Sequence, residues 1–390
     1  MYIQIHGTTL NSLRKRYKAT YEGASKMTGI DAKLLEQWEK EGVEVSLTDA
    51  KKLAKGFHSH WSVFLLKSRV KPIEEPVNHR AGYDNSSPFS DKTMHAYEVA
   101  RRLLDTSEQI EGQVVDPRLE PIRKLGQSKE NPEFVAKKVR ELMGITSEDI
   151  LRIKGSPYVV YAFWKRNVSR LGIYISEQEM PITETKAFLM KDRDRAVIVV
   201  NKKDTYIYSR IFSLMHELGH LVKGEDSAAC KITEHARRSS SEETWCNKFA
   251  SEILAYDGDV MANKLVGSIK SSPEPSTIVR KLASQYKVSF TVMLYKLKRH
   301  GKVTDQQCRE MQAFFENVIL PKFKPKKDAD IKLGRAFYVN RDISKASPSL
   351  SREVIERQVQ GKVSYSQAAK MLDTRAKYLE DLKSVVGFGS

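Results

Sequence analysis

Two histidines and a glutamate that lie close together in the chain have the types and spacing of a metal-dependent hydrolytic site. The sequence reads His216-Glu217-Leu218-Gly219-His220. On an α-helix, residues four apart lie on one face, so both imidazoles can bind the same ion. Glu217 follows the first imidazole and can act as general base towards a water molecule at that ion. The alternative at this point is a pair of helix histidines that bind no metal.

The flanking residues predict the helix that this spacing requires. No proline occurs from Tyr206 to Lys223, and apolar residues recur at helical spacing. They are Ile211, Phe212, Leu214, Met215, Leu218, Leu221 and Val222. The helix therefore has both a buried face and a face on which the histidines can meet an ion.

Three short β-branched segments precede this helix and predict a small sheet. They cover residues 172–176, 187–190 and 196–201. We expect the last of them to lie beside the cleft, where an extended peptide could pair with its edge. The alternative is that the strands only cover the helix.

A third metal ligand is expected downstream, because a catalytic zinc ion has three protein ligands and one open position. Residues 241–254 have apolar positions at helical spacing, and serines can cap the start of this segment. Glu243 and Asn247 are four apart and share a face. Glu243 can then bind the metal, while Asn247 supports a ligand by a hydrogen bond, most simply to the outer nitrogen of His216.

Other interpretations of these carboxylates remain open at the level of sequence. Glu242 and Glu252 compete for the ligand role. Glu252 falls on the wrong side of the helix relative to Asn247, and a Glu242 ligand would turn apolar residues of the helix away from the core. Glu243 could also be a solvated carboxylate at the start of the helix.

Residues 212–221 (Phe-Ser-Leu-Met-His-Glu-Leu-Gly-His-Leu), followed by Glu243, Asn247, Phe249 and Ala250, resemble the ImmA/IrrE family of metallo-endopeptidases. The resemblance implies a zincin-like core of the gluzincin type and one Zn²⁺ ion per chain. It also assigns His216, His220 and Glu243 as metal ligands and Glu217 as the catalytic base. Manganese or iron would suit the same ligands. The family often reads Leu-Leu-Met-Pro after the second helix, where this chain has Ile-Leu-Ala-Tyr-Asp at 253–257.

Three further residues are weaker candidates for the same site. Tyr206, Tyr208 and His235 could each donate a hydrogen bond to the oxyanion of a tetrahedral intermediate. The alternative is that the tyrosines pack against the core and that His235 is a surface loop residue.

The N-terminal part of the chain predicts a small helical domain. Residues 21–30 predict a short helix that ends at a glycine, and residues 31–39 predict a second helix after a tight turn. The small Ala24 and the turn at Gly29 are what two steeply crossing helices require.

This pattern resembles an Xre-type helix-turn-helix domain, in which the later helix enters the major groove of DNA. The resemblance implies DNA as a partner, and we expect Lys33 and Gln37 to be the side chains of that helix that reach base edges. Three carboxylates on or before that helix, Asp31, Glu36 and Glu39, oppose the approach of phosphates. A helical bundle that binds protein or dimerises is the alternative.

Composition limits the cellular setting. The formal net charge of +17 favours a nucleic acid or another polyanion as partner, although a well-hydrated surface also explains it. Three unevenly spaced cysteines argue against a disulfide framework. The chain begins without a signal-peptide pattern and contains no run of eighteen apolar residues. We therefore expect a cytoplasmic protein with no membrane contact.

The sequence as a whole predicts an α+β protein that is mostly helical. Its predicted parts are the helix-turn-helix domain (1–68), a linker (69–91), the metallopeptidase core with a small sheet (92–265), a helical support element with a helix-turn-helix shape (266–320), and a basic helical C-terminal module that binds DNA or protein (321–390).

Together these patterns predict a zinc endopeptidase fused to a DNA-binding domain. By resemblance, its substrate is a transcriptional repressor, cleaved in a stress response or in the control of a mobile element. The alternative is a non-enzymatic transcriptional regulator, or an antitoxin with a toxin partner, in which zinc is structural or sensory.

Overall fold

A computed structural model of the chain describes residues 2–16, 19–57, 64, 89–111, 116–127, 130–192, 195–224, 241–323 and 343–387. These residues form two compact units, Met1–Glu98 and Val99–Ser390. Both are mostly helical, and each contains one small sheet. The predicted α+β class with predominant helix is confirmed. The finer domain boundaries stay predictions, and most of the predicted linker lies outside the described residues.

The first unit consists of four helices and a two-stranded sheet, followed by the start of a longer helix. In chain order these are β1 (Tyr2–Ile5), α1 (Gly7–Arg16), α2 (Tyr21–Thr28), α3 (Ala32–Glu41), β2 (Val43–Ser46), α4 (Leu47–Gly56) and α5 (Asp91–Glu111).

Local hydrogen bonds explain why α2 and α3 begin and end where they do. The Thr20 hydroxyl accepts a hydrogen bond from the backbone N–H of Gly23 at the start of α2. The Asp31 carboxylate accepts hydrogen bonds from the first free N–H groups of α3, so this acid caps a helix. The helices predicted at 21–30 and 31–39 are present with nearly these bounds, and Gly29 ends α2 with a φ of 70°.

The small helical domain that the sequence predicts also contains a two-stranded sheet, which the sequence did not indicate. β1 and β2 pair antiparallel, from Tyr2 opposite Ser46 to Ile5 opposite Val43. Their side chains alternate between exposed and buried, with Ile3, Ile5 and Val45 in the core. Strands of four residues are too short for this alternation to stand out in the sequence.

An internal ion pair neutralises one of the acids expected to oppose DNA. The Glu39 side chain is only 2% exposed and accepts hydrogen bonds from Arg14 Nε at 2.6 Å and Asn11 Nδ2 at 2.8 Å. The Tyr21 hydroxyl lies 3.3 Å from the same carboxylate. Glu39 therefore joins α3 to α1 and α2 and does not face solvent.

The second unit contains the predicted peptidase region. Its elements after α5 are α6 (Glu120–Gln127), α7 (Pro132–Met143), α8 (Ser147–Leu151), α9 (Pro157–Arg170), β3 (Ile173–Gln178), β4 (Ala187–Asp192), β5 (Arg195–Asn201), α10 (Ile207–Lys223), α11 (Ser241–Leu254), α12 (Asp257–Met261), α13 (Lys264–Gly267), α14 (Pro275–Gln285), α15 (Phe290–Arg299), α16 (Asp305–Phe314), α17 (Pro348–Val359), α18 (Tyr365–Met371) and α19 (Leu379–Val386). A π-helical turn, Phe315–Ile319, continues α16.

The three predicted strands form one mixed sheet in the order β3-β5-β4. β3 runs parallel to β5, and β4 runs antiparallel to it. β5 is therefore the central strand, so the expectation that its edge could receive an extended peptide is wrong. The sequence could not show this order, because all three strands are short, apolar and close together in the chain.

The C-terminal residues pack against the outer side of β3. The backbone N–H of Ile175 donates to Ser347 Oγ at 3.1 Å, and Ser176 Oγ donates to the carbonyl oxygen of Lys345 at 2.5 Å. The Tyr174 hydroxyl donates to a carboxylate oxygen of Glu353 at 2.8 Å. Residues 345, 347 and 353 thus contribute hydrogen bonds to the sheet region, and the predicted module at 321–390 stays a prediction.

One apolar core connects the sheet, α10, α11 and the helices that follow. α10 packs between the sheet and α11, and nearly all of its residues from Ile211 to Val222 are buried. Val279 of α14 and Leu294 of α15 belong to the same core, so these helices support the region that carries the histidines. In the part of the chain that the structure describes, no helix has the length and apolarity to cross a membrane.

Candidate metal centre

α10 carries both histidines on one face, at the side where α11 packs. His216 and His220 are 4% and 6% exposed, and Glu217 is 1% exposed. The two imidazole rings are 4.9 Å apart between centroids, and their Nε2 atoms are 3.2 Å apart. Two nitrogen atoms this close, both buried, are suited to share a cation.

Glu243, at the start of α11, completes a group of three donor atoms. Its carboxylate oxygens lie 3.4 Å from His216 Nε2 and 3.8 Å from His220 Nε2. Ligand atoms about 2.0–2.1 Å from a tetrahedral zinc ion are about 3.3 Å from one another. His216, His220 and Glu243 thus form a possible metal-binding triad among the described residues, and its spacing and donor chemistry fit zinc.

Asn247 fixes the orientation of the first imidazole. Its Oδ1 atom lies 3.0 Å from His216 Nδ1. Because an amide oxygen only accepts hydrogen bonds, Nδ1 is the donor in this contact, and Nε2 is the ring nitrogen that faces His220 and Glu243. This contact has the geometry of the hydrogen bond that usually supports a metal-bound histidine.

The close approach of α10 and α11 depends on Gly219. A Cβ atom at this position would lie 3.1 Å from Phe249 Cδ1 and 3.4 Å from Cys246 Cα. A side chain here would require the ring of Phe249 on α11 to shift by a few tenths of an ångström. Since Glu243 must reach the histidines from α11, the glycine within the histidine motif helps to set the distance between the ligands.

The other two acids of α11 take no part in the triad. Glu242 is exposed to solvent. Glu252 is buried near the end of the helix, where it accepts a hydrogen bond from Lys296 Nζ at 3.0 Å. The structure therefore brings Glu243, and neither competing carboxylate, to the histidines.

The structure does not bring the two candidate tyrosines to the triad. An α-helix rises about 1.5 Å per residue, so Tyr208 and Tyr206 lie about 12 and 15 Å from His216 along α10. Their rings contact each other at 5.8 Å, and the ring of Tyr206 also contacts Phe315. Burial raises the pKa of Tyr206 to about 12. The third candidate, His235, lies outside the described residues.

Sequence reasoning missed a buried ionic network at the end of α11. Lys296 of α15 is fully buried and binds the carboxylates of both Glu252 and Asp257. Asp257 also pairs with Arg299 and with His300 Nε2. Burial alone would raise the pKa of Asp257. Lys296 and the other partners outweigh this effect and hold the pKa of Asp257 below its ordinary value. The departure from the family pattern at 253–257 was the only sequence signal for this network.

The residues proposed to contact DNA lie in the other unit, on the surface of α3. Lys33 and Gln37 are both exposed. Gln37 Nε2 lies 3.4 Å from Glu41, and Lys40 pairs with Glu36 at 2.8 Å. Their side chains are placed where a ligand could reach them, and contact with DNA stays a prediction.

The comparisons with known proteins point to the same region as the geometry. Residues 168–298 match the family model Peptidase_M78, described as the IrrE N-terminal-like domain. This match supports the ImmA/IrrE peptidase family and indicates a metallopeptidase-type function for about a third of the chain. The matched range includes the three-stranded sheet, α10 and α11. It therefore includes both histidines, Glu217 and Glu243. Neither the curated proteins nor the solved structures gave a match.

Proposed function

We propose that the chain is a zinc-dependent endopeptidase with a DNA-binding domain. The observation that carries the proposal is the convergence of His216, His220 and Glu243 within metal-binding distance of one another. The proposal gains support from the peptidase family match over the same residues. A bound zinc ion supplies a Lewis acid that polarises the peptide carbonyl and acidifies a water molecule.

The side chains of α10 and α11 have separate roles in this proposal. His216, His220 and Glu243 hold the ion, and Asn247 keeps the His216 ring in the orientation that binds it. Glu217 takes a proton from the attacking water and passes it to the leaving amine. Its near-complete burial, in the chain position directly after His216, supports this role.

An extended substrate can pair by its backbone only with an edge strand, β3 or β4. On the outer side of β3, the backbone N–H of Ile175 is already bonded to Ser347 Oγ. Such pairing forms hydrogen bonds with the peptide backbone only, so contacts to the side chains of the substrate must supply sequence specificity.

We infer that the substrate is a protein, a transcriptional repressor by family resemblance, and that the reaction takes place in the cytoplasm. The first unit would bring the peptidase to DNA occupied by that repressor. The exposed Lys33 and Gln37 on α3 support this role, as does the internal neutralisation of Glu39.

Catalysis is tested with purified protein loaded with zinc and incubated with repressor proteins of the same cell. Wild type is expected to cleave one of them, whereas Glu217→Gln should keep the metal and lose cleavage. His216→Ala should lose both, as measured by metal analysis. If Glu217→Gln retains the cellular function, the non-enzymatic alternative, a regulator or an antitoxin, replaces this proposal.

DNA binding is tested by mobility shift over a series of salt concentrations. Affinity should fall linearly with the logarithm of salt concentration, as expected for phosphate contacts. Lys33→Ala should weaken sequence preference, whereas Lys51→Ala, an equal change of charge on the exposed side of α4, should not. Equal effects of both variants would argue against α3 as the helix that contacts bases.

A further inference from the structure

Ser213 belongs to the same polar stripe of α10 as the metal site. Between Ile211 and Val222 this helix has four polar side chains, those of Ser213, His216, Glu217 and His220. Their positions i, i+3, i+4 and i+7 lie on one face of a helix. Every other side chain in this stretch is apolar, so the serine shares its face only with the residues of the proposed site.

The Ser213 hydroxyl is buried without a hydrogen-bond partner among the described residues. The residue is 2% exposed, and its Oγ atom has no partner within hydrogen-bonding distance. Serine and threonine within helices commonly donate to the carbonyl oxygen four residues earlier. Ser12 and Thr28 of this chain do so, each at 2.8 Å. Ser213 does not, although it has the same opportunity.

A buried polar group without a partner is unfavourable, and in native proteins it usually has a reason. At Ser213 the reason is not the packing of the helix, since an alanine would fill this position without an unsatisfied hydroxyl. The polar side chains one turn further along the same face are those of His216 and Glu217. Glu217 is four residues away, at a separation of about 5–6 Å between Cβ atoms.

We propose that Ser213 is a positioning residue for Glu217, and that its hydroxyl donates a hydrogen bond to the Glu217 carboxylate when a peptide occupies the site. One carboxylate oxygen then faces the attacking water, and the other is held by the serine. The hydrogen bond reduces the freedom of the base at the moment of proton transfer. This inference rests on the proposed peptidase function and adds a residue to which neither the family match nor the sequence motif assigns a role.

The experiment compares wild type, Ser213→Ala and Ser213→Thr as full-length zinc-loaded proteins, with a peptide that wild type cleaves. Ser213→Ala should lower kcat by roughly tenfold, within the range of general-base contributions, and leave KM and zinc content unchanged. Ser213→Thr keeps the hydroxyl and should retain most of kcat. A structural role would give the opposite pattern, a loss of stability with unchanged kinetics.

A second readout does not depend on the loaded enzyme. In metal-free protein, Ser213→Ala should melt no lower than wild type, because it removes a hydroxyl that has no partner there. Unchanged kcat in Ser213→Ala would overturn the proposal, and so would a rise in KM at constant kcat, which would assign the hydroxyl to substrate binding. If zinc-loaded wild type cleaves nothing, the peptidase proposal itself fails, and the melting comparison still decides whether the hydroxyl is unpaired.

Discussion

Removing the charge of Lys296 should destabilise the second unit far more than removing a surface lysine. The Lys296 side chain is 0% exposed, and its partners Glu252 and Asp257 are 8% and 17% exposed. Lys296→Met keeps the length of the side chain and leaves two carboxylates without their shared cation. Breaking a buried ion pair on one side costs about 3–5 kcal/mol of unfolding free energy.

The structure favours the lower end of this range. Asp257 retains its ion pairs with Arg299 and His300, and Glu252 still accepts a hydrogen bond from the backbone N–H of Asp257 at 3.0 Å. A loss of about 3 kcal/mol corresponds to a fall in melting temperature of about 5 °C, because a unit of almost 300 residues has an unfolding entropy of about 2.1 cal/mol/K per residue. Differential scanning calorimetry measures this directly.

The matched control is Lys298→Met on the same helix. Lys298 pairs with Asp305, but both side chains are more than a third exposed, so the change should alter the melting temperature little. Adding Glu252→Gln to Lys296→Met should recover part of the loss, because it removes one of the uncompensated charges. If Lys296→Met melts no lower than Lys298→Met, the argument from buried charge is wrong.

The loss caused by Lys296→Met should also depend on pH. Burial raises the pKa of Glu252, and the Lys296 ammonium opposes this rise. Without the ammonium, the folded-state pKa of Glu252 rises further above its unfolded value. A carboxyl with a raised folded-state pKa favours the folded state at low pH, and this benefit disappears as the pH rises through that pKa. The difference from wild type should therefore be larger at pH 8 than at pH 5.

Three further predictions concern the metal centre and its supports. Asn247→Ala should weaken zinc binding by about 10–100-fold, because the His216 ring loses its orienting hydrogen bond. Competition with a chelator measures the affinity. An unchanged affinity would mean that packing alone orients the ring. Chelation of the metal should lower the melting temperature of wild type and leave that of Glu243→Ala unchanged, since a metal ion that binds only the folded state stabilises that state. An equal shift in both proteins would exclude this carboxylate as a ligand. Gly126→Ala would place a Cβ atom 1.6 Å from the carbonyl oxygen of Val222, so α6 must move away from α10. This movement should cost about 1–3 kcal/mol of unfolding free energy. Gly258→Ala serves as the control, because its Cβ atom would meet nothing within 4 Å.

The sequence was most informative where residue types that can bind a metal occur at helical spacing. The spacing of His216 and His220, with apolar residues between, determined both the helix and the face on which an ion could bind. Glu243 and Asn247 followed from the same geometry on the next helix. The sharing of a helix face depends on local structure only, whereas the choice of Glu243 over Glu242 and Glu252 stayed open at the level of spacing and came from the family resemblance.

The features that the sequence did not reveal depend on contacts between distant segments. The central place of β5 follows from pairing with β3 and β4, and nothing in three short apolar strands specifies their order. In the sequence, Lys296 lies in a basic helix and would be expected to be exposed. Only the structure, which places it opposite Glu252, shows that it is buried. Tyr206 and Tyr208 were proposed for their chemistry alone, and the structure shows their rings packed against each other two to three turns before His216.

The central position of β5 has a consequence for local opening of the protein. All seven residues from Arg195 to Asn201 are buried, the strand pairs on both sides, and α10 packs against it. Amide protons in such a strand exchange with deuterium only when the whole unit unfolds, whereas helix ends and loops exchange through small fluctuations. We therefore expect the helix that presents His216 and His220 to pack against a strand that is among the slowest-exchanging of the described residues. Motions elsewhere in the unit should then leave the separation of the two imidazoles unchanged.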